Sequence, residues 1–408
     1  MAVLRTSAIL TVGTELTTGL RQDTNSTEIA RMLADAGYVV RAALALPDDR
    51  ALVAEAIRAL MEAYDLVVVT GGLGPTHDDI TREAASDALG RALLRDETIA
   101  MQLAQVAARH TQTASRAQMF RQADVLDGAT VLPAVAGTAP GQVVSLDDGH
   151  GLILLPGPPH EMRPLLLGYL ESRRRVPAPV RLRCTGITES DAQHLVVPVI
   201  ADYAVELTLL AAPGDVEVVL FPREGDATDL ESASAAAQVA LGPACYSTDG
   251  SSLAETVVRL ARERREIIAT AESCTGGMIA SALTDVSGAS AVFTGGVVAY
   301  DNAVKSGVLG VPTAVLDEFG AVSEQTARAL AEGALALPGA TVSVATTGIA
   351  GPDGGSEDRP VGLVWFAQAR TGDETRAVEH RLQGSRSAVR ARATLIALDM
   401  LRRDLLER

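Results

Sequence analysis

The sequence predicts an α/β protein of several domains, and three observations carry that expectation. Short apolar runs alternate with segments of helical period from Ser7 onward, the pattern of parallel strands covered by helices. The chain has 408 residues, too many for one ordinary core. Apolar residues make up 47% and aromatic residues only 3%, with Ala, Val and Leu supplying most of the apolar share, which favours layered helix-on-sheet packing.

In the first domain, 1–172, the patterns predict strands at 7–12, 39–44 and 66–70 with helices at 25–36 and 50–63, a βαβαβ series. A longer helical stretch covers 96–124 and is followed by short strands. LPGPPHEM at 155–162 opens a last helix, because proline is tolerated in a first turn. RRRVPAP at 173–179 reads as a linker. Residues 173–248 form a second domain with β-α-β-β-α-β order: 180–184, 189–200, 205–211, 216–221, 226–240 and 244–247. TDGSS at 248–252 is a second linker. The third domain, 249–408, starts with a helix from Leu253. It continues with strand 267–271, helix 277–283, strand 291–299, helix 324–335, strands 341–347 and 361–369, and a final helix from Arg386. No repeat of 20–50 residues is visible.

A net charge of −16 opposes a phosphate backbone, and so few aromatics leave no base-stacking platform, so nucleic acid is not the expected partner. The basic runs ESRRRV at 171–176 and RERRE ending at Glu266 sit beside acidic residues and read as solvated helix ends. Cys184, Cys245 and Cys274 lie far apart without CxxC spacing, which suggests neither a disulfide framework nor a zinc site and fits a reducing cytoplasm. The first apolar run, MAVLRTSAILTVGTE, is short for a membrane helix and lacks a cleavage pattern, so a cytoplasmic location without membrane partners is expected.

Three runs in the third domain carry chemistry: AESCTGG at 271–277, GGVVAYDNAVK at 295–305 and TTGIAGPDGGS at 346–356. Ser273 is a weak nucleophile that needs a base, and Lys305 is the nearest candidate. A lysine serves as base only with a depressed pKa, which the apolar flanks Val297, Val298, Val304 and Val308 suggest. Cys274 is the rival nucleophile, or else a small buried residue at a strand end, and no histidine lies in the neighbouring motifs to activate it. The N–H groups near Thr275, Gly276 and Gly277, where a strand meets a helix, are candidates to hold an oxyanion. Gly348, Gly351, Gly354 and Gly355, flanked by Thr346, Thr347 and Ser356, let the backbone approach a ligand, and Arg386 could neutralise a phosphate.

In the first domain, Glu15, Asp23, Asp78 and Asp79 stand near strand ends, the last two in GGLGPTHDDIT with Gly72 and Gly74. Ligands of open parallel sheets bind at such ends. Asp78 and Asp79 could hold a divalent cation through phosphate oxygens, or could cap the helix that follows them. His77 and His160 lack metal spacing.

Together, AESCTGG, GGVVAY, NAVK, GAVSEQ and TGIAGPDGGS resemble the CinA family, competence/damage-inducible protein A, over essentially the whole chain. The resemblance implies that the third domain is a nicotinamide-nucleotide amidase, converting nicotinamide mononucleotide (NMN) to nicotinate mononucleotide and ammonia without a cofactor. It implies Ser273 and Lys305 as the catalytic pair, with Tyr300, Thr347, Gly348 and Arg386 lining the site. Through VGTEL, DTN and GGLGPTHDDIT the first domain is similar to the three-layer molybdopterin-binding fold of MoaB and MogA, linked in CinA relatives to a metal-dependent ADP-ribose pyrophosphatase. Three places depart from the family's pattern: VGTELTTG lacks the usual leucines, and Phe120 and Ala134 stand where asparagine is usual. The middle unit resembles the family's small KH-like connector but has no GxxG loop, so a spacer or dimer-forming role is expected, with a homodimer as the assembly. Two other classes stand beside these: a first domain that binds a pterin or nucleotide without turnover, and an interaction protein in DNA uptake or repair.

Overall fold

The structure is a computed structural model, and it describes residues 5–107, 118–146, 150–171, 178–223 and 227–407. The chain divides into two compact units, one of 1–179 with 222–227 and the other of 180–221 with 228–408.

The first unit runs β1 (Arg5–Val12), α1 (Thr14–Thr17), α2 (Asn25–Asp35), β2 (Tyr38–Leu46), α3 (Arg50–Ala63), β3 (Leu66–Thr70), α4 (Thr81–Leu89), β4 (Leu93–Arg95), α5 (Glu97–Ala107), β5 (Asp124–Leu126), β6 (Thr130–Leu132), β7 (Gly141–Ser145), β8 (Gly151–Leu155) and α6 (Pro159–Glu171). Its main sheet has the order β2-β1-β3-β8-β7-β6, with β2, β1, β3 and β8 parallel and β7 and β6 antiparallel. The period-two alternation of a strand divides the apolar residues between two layers. Leu10, Val67, Val69, Leu152 and Leu154 pack with Val53 and Ile57 of α3. Ile9, Val68 and Ile153 pack with Ile29 and Leu33 of α2 and with Met162 and Leu166 of α6. Asp49 starts α3 by accepting the N–H groups of Ala51 and Leu52.

Of the helix predicted over 96–124, Glu97–Ala107 and 118–119 are helical, 108–117 lie outside the described residues, and the far end is a 3-10 turn, Phe120–Ala123, leading into β5. One expectation fails here. Asp78 and Asp79 do not cap α4, whose N-cap is Ile80 with no side-chain acceptor. The linker expected at 173–179 and the basic run 171–176 fall mostly outside the described residues.

The second unit begins with β9 (Val180–Thr185), α7 (Glu189–Ile200), β10 (Val205–Ala212), β11 (Asp215–Pro222), α8 (Ala227–Leu241) and β12 (Cys245–Ser247), forming a sheet of order β10-β11-β9-β12. The TDGSS segment is a hydrogen-bonded turn: the Asp249 carboxylate accepts from the Ser251 N–H and the Ser247 hydroxyl, and the Ser251 side chain, its N–H and Ser247, in that order, lower the Asp249 pKa to about 2. Helix α9 (Leu253–Arg264) then opens with a reciprocal capping box between Ser252 and Glu255.

Next come β13 (Ile268–Glu272), α10 (Met278–Thr284), β14 (Phe293–Val298), α11 (Asn302–Leu309), α12 (Thr313–Phe319), α13 (Glu324–Leu335), β15 (Val342–Gly348), β16 (Leu363–Arg370), β17 (Arg376–Arg381) and α14 (Arg386–Leu406). The sheet order is β14-β13-β15-β16-β17, with β14, β13 and β15 parallel and β16 antiparallel to both β15 and β17. The carboxyl ends of β13, β14, β15 and β17 therefore lie along one edge. Helices α9 and α14 cover one face, where Val257, Val389 and Leu401 meet Ile268, Val344 and Phe366. Helix α13 covers the other, packing Leu330 and Ala331 against Ala269, Ala345 and Ala367. Among the described residues no helix is long and apolar enough to cross a membrane.

Candidate functional site

In the third domain, every predicted group stands at that one sheet edge. Ser273 follows β13 directly and is 9% exposed; its N–H donates to the Thr346 carbonyl at 2.9 Å, tying it to β15. Lys305 lies in α11, just after the neighbouring strand β14, and is 1% exposed. Its Nζ donates to the Tyr300 carbonyl at 3.0 Å. Burial pushes the Lys305 pKa below the ordinary lysine value, with the Asp301 charge opposing. The reason given from sequence was partly wrong, since Val298 and Val308 are exposed and cannot bury the lysine. It is the tertiary fold that encloses it.

Arg386, in the first turn of α14, donates to the Gly351 carbonyl at 2.9 Å and to the Tyr300 hydroxyl at 3.2 Å. The arginine, the tyrosine and the glycine loop thus meet. Thr347 is turned away, its hydroxyl donating to the Ala321 carbonyl at 2.6 Å. Gly348 belongs to the β15–β16 pairing, where an added Cβ would stand 2.7 Å from the Leu363 carbonyl oxygen. Cys274 is buried, and its thiol is pushed up to about 11 by that burial, so it is protonated at neutral pH.

The turn after Ser273 corrects the expected anion site. The Gly277 N–H donates to the Glu272 carboxylate at 2.9 Å, as do Ile279 at 3.1 Å and Ala280 at 2.8 Å. The Gly276 N–H donates to the Ser273 carbonyl at 3.2 Å. Those two N–H groups are therefore committed. The Cys274 and Thr275 N–H groups make no backbone hydrogen bond among the described residues. The Thr275 hydroxyl bonds the Thr346 hydroxyl at 2.8 Å.

Sequence reasoning missed Glu272 and Arg390. The Arg390 guanidinium donates to the carbonyls of Cys274 at 3.1 Å and Thr275 at 2.8 Å, holding the turn from outside. Both left signals: Glu272 is a charge at the end of a fully buried strand, and Arg390 lies one helical turn after Arg386 on the same face.

In the first unit, Glu15, Asp23, Gly72, Gly74, Asp78 and Asp79 all line one cavity of about 620 Å³ at the carboxyl ends of β1, β3 and β8. Gly72 has φ +64°, and an added Cβ would stand 2.3 Å from the Thr81 hydroxyl oxygen. Asp23 accepts from the N–H and hydroxyl of Ser26, at 2.9 and 2.5 Å. Asp79 accepts from the N–H groups of Gly74 and Thr76, each at 2.7 Å, and from the Thr76 hydroxyl at 2.6 Å. The Thr76 hydroxyl also contacts Asp78. The buried Arg82 closes the same loop from beneath, donating to the carbonyls of Leu73 at 2.6 Å and Gly74 at 2.8 Å. Asp79 is thus a loop fastener. Among the described residues no group of three or more His, Cys, Asp or Glu could hold a metal ion.

Three further cavity residues were missed. Glu161 has its pKa raised by burial, with His160 opposing. The Asn25 Oδ1 and Gln122 Oε1 atoms are buried without a hydrogen-bond partner.

Residues 250–405 match the family description "CinA C-terminal domain", and residues 8–174 match "Probable molybdopterin binding domain". A CinA-like protein of Koribacter versatilis is 41% identical, covering 98% of this chain and 99% of its own. One from Thermotoga neapolitana is 37% identical over 99% of each chain. Among solved structures, a competence/damage inducible protein from Agrobacterium tumefaciens is 42% identical, with a TM-score of 0.36, covering 38% of this chain and 97% of its own. The protein CinA from Thermoplasma acidophilum is 32% identical with a TM-score of 0.39, covering 42% of this chain and 99% of its own. Matched along almost its whole length by CinA-like proteins, and in both terminal domains by the corresponding family descriptions, the chain belongs to the CinA family.

Proposed function

We propose that the third domain hydrolyses the carboxamide of NMN, with Ser273 as nucleophile and Lys305 as base. The observation that carries this reading is the buried lysine of depressed pKa on α11, beside the strand that presents a buried serine. A neutral Lys305 amine can donate one N–H to the Tyr300 carbonyl and keep its lone pair for a proton. Ser273 Oγ attacks the carboxamide carbon while its proton passes to Lys305. The oxyanion is received by the Cys274 and Thr275 N–H groups, an arrangement worth about 3–4 kcal/mol in such enzymes. Lys305 returns the proton to the departing nitrogen, ammonia leaves, and water, deprotonated by the same lysine, cleaves the acyl-serine. Arg386 and the glycine loop hold the 5′-phosphate.

A second reading concerns the first unit, whose cavity has the volume of a nucleotide site and an edge of backbone and carboxylate groups. It suits a nucleoside diphosphate such as ADP-ribose, and a divalent cation held by Asp78 and Asp79 through the phosphate oxygens would offset the repulsion between the diphosphate and the cavity's carboxylates. Purified chain given NMN tests the first reading through ammonia, and calorimetric titration with ADP-ribose, with AMP release followed with and without a chelator, tests the second. Absence of ammonia from NMN refutes the first reading, and absence of ADP-ribose binding refutes the second.

A further inference from the structure

The two cysteines of the connector sheet, remote in sequence, face each other in space. Cys184 in β9 and Cys245 in β12 are direct partners in antiparallel register. Antiparallel partners have Cα atoms about 4.5–5.5 Å apart, inside the range of about 4.4–6.8 Å that a disulfide spans. The Cys245 thiol donates to the Ser247 carbonyl at 3.4 Å. The absence of a CxxC motif concealed this pair, because the register of two strands brings it together.

The two thiols are not equivalent. Cys184 is fully buried in the connector core, whereas Cys245 is half-buried in the wall of a cleft of about 260 Å³ that also includes Ser247, Asp249, Thr256 and Arg259. The neighbouring Cys184 thiol draws the Cys245 thiol below its ordinary range, and the positive charge of Arg402 acts in the same direction; the proximity of Cys245, with burial, pushes Cys184 upward. One thiol is thus accessible and inclined to ionise, with a protonated partner beside it, the arrangement of an attacking and a resolving cysteine.

We propose that Cys184 and Cys245 form a peroxide-sensitive thiol pair that closes to a reversible disulfide across the connector sheet. The Cys245 thiolate attacks one oxygen of a hydroperoxide, the O–O bond breaks, and the departing oxygen takes a proton, leaving Cys245 as a sulfenic acid. The Cys184 sulfur then attacks the Cys245 sulfur, the S–O bond breaks, and hydroxide leaves with the Cys184 proton as water. Two electrons pass from the thiol pair to the peroxide, and hydrogen peroxide ends as two waters. The product bond ties β9 to β12 immediately before the turn that leads into α9. A thiol reductant reopens it.

The full chain is treated with hydrogen peroxide, blocked with N-ethylmaleimide under denaturing conditions and digested without reduction for mass spectrometry. The expected result is one cross-linked species joining the Cys184 and Cys245 peptides, two hydrogens lighter than the pair, together with loss of two of the three alkylatable thiols and their recovery in dithiothreitol. Cys245→Ser is expected to abolish the link and leave Cys184 alkylatable only after denaturation. The proposal is overturned if both thiols of the wild-type chain stay alkylatable, if Cys245 proceeds to sulfinic acid with Cys184 free, or if an isotope-mixed sample shows the link between two chains. These outcomes do not depend on the amidase reading.

Discussion

Lys305 Nζ donates to the backbone carbonyl of Tyr300 at 3.0 Å, and the hydroxyl of the same tyrosine accepts from Arg386 at 3.2 Å. One residue therefore joins the proposed base to the proposed phosphate ligand. Because burial lowers the Lys305 pKa, the amine is protonated, and useless as a base, only below that depressed value. The kcat/KM for NMN should rise with pH and level off below the ordinary lysine pKa of about 10.4. A pH–rate profile checks this, and an alkaline limb at the ordinary lysine value argues against the assignment. Linkage has the same sign: the unfolded chain binds more protons between the two pKa values, so this group's stability contribution is full above the unfolded value and is lost as pH falls through the folded one. Lys305→Met should lower kcat by about 10²–10⁴-fold with the melting temperature retained.

Cys274→Ala should keep ammonia release within a few-fold of wild type, since a buried thiol pushed up to about 11 is neither ionised nor accessible. The small void should cost about 1 kcal/mol, read from a denaturant melt. Loss of turnover in a folded Cys274→Ala chain would return the nucleophile to sulfur.

Glu272→Ala removes the acceptor of three N–H groups at the start of α10 and should cost about 1–3 kcal/mol. Glu272→Gln retains one amide oxygen and should fall between. Thermal melts of the three proteins order these effects, and equal melting temperatures would show that the carboxylate is not what holds the turn.

Arg386→Met and Arg390→Met should separate binding from chemistry. Loss of the phosphate partner should raise KM by about 10–100-fold, the equivalent of one charge-assisted hydrogen bond, with kcat little changed. Loss of Arg390 releases the carbonyls of Cys274 and Thr275 and should instead lower kcat. Steady-state kinetics on NMN distinguishes the two, and a pure KM effect at Arg390 contradicts its positioning role.

In the first unit, Asp79→Asn weakens the fastening of Gly74 and Thr76 at the cavity edge. Calorimetric titration with ADP-ribose should show at least a tenfold loss of affinity, by the loss of about 1.4 kcal/mol. Ammonia release from NMN should be unchanged, because the substitution lies in the other compact unit.

Periodicity located the strands and helices that face a core. It missed α11, a helix of only eight residues whose buried face carries Lys305 and Leu309, and two elements that lack such a face. Strand β17 is an edge strand with little of it buried, and α12 buries no residue entirely, so neither prints an apolar pattern. The candidate motifs at Ser273 and Lys305 were legible because both follow apolar strands whose parallel pairing brings their ends to one edge, whereas Arg386 follows β17, whose place at that edge the pattern did not show. What stayed hidden was the hydrogen-bond accounting. That Glu272 takes the Gly277 N–H, that Thr347 points at Ala321 and that Asp79 fastens a loop instead of capping α4 follow from three-dimensional proximity between groups whose local sequence permits several partners.

The Glu272 carboxylate also cancels the positive end of α10, which would otherwise attract an anion. In the proposed reaction the substrate phosphate is then drawn chiefly by the Arg386 guanidinium, on a molecule whose overall charge of −16 pushes anions away. Capture becomes sensitive to ionic strength. Salt shortens the reach of both forces to about 8 Å at physiological concentration, so the measured preference for the nucleotide over the uncharged nucleoside should change with the buffer even though the chemistry at Ser273 does not.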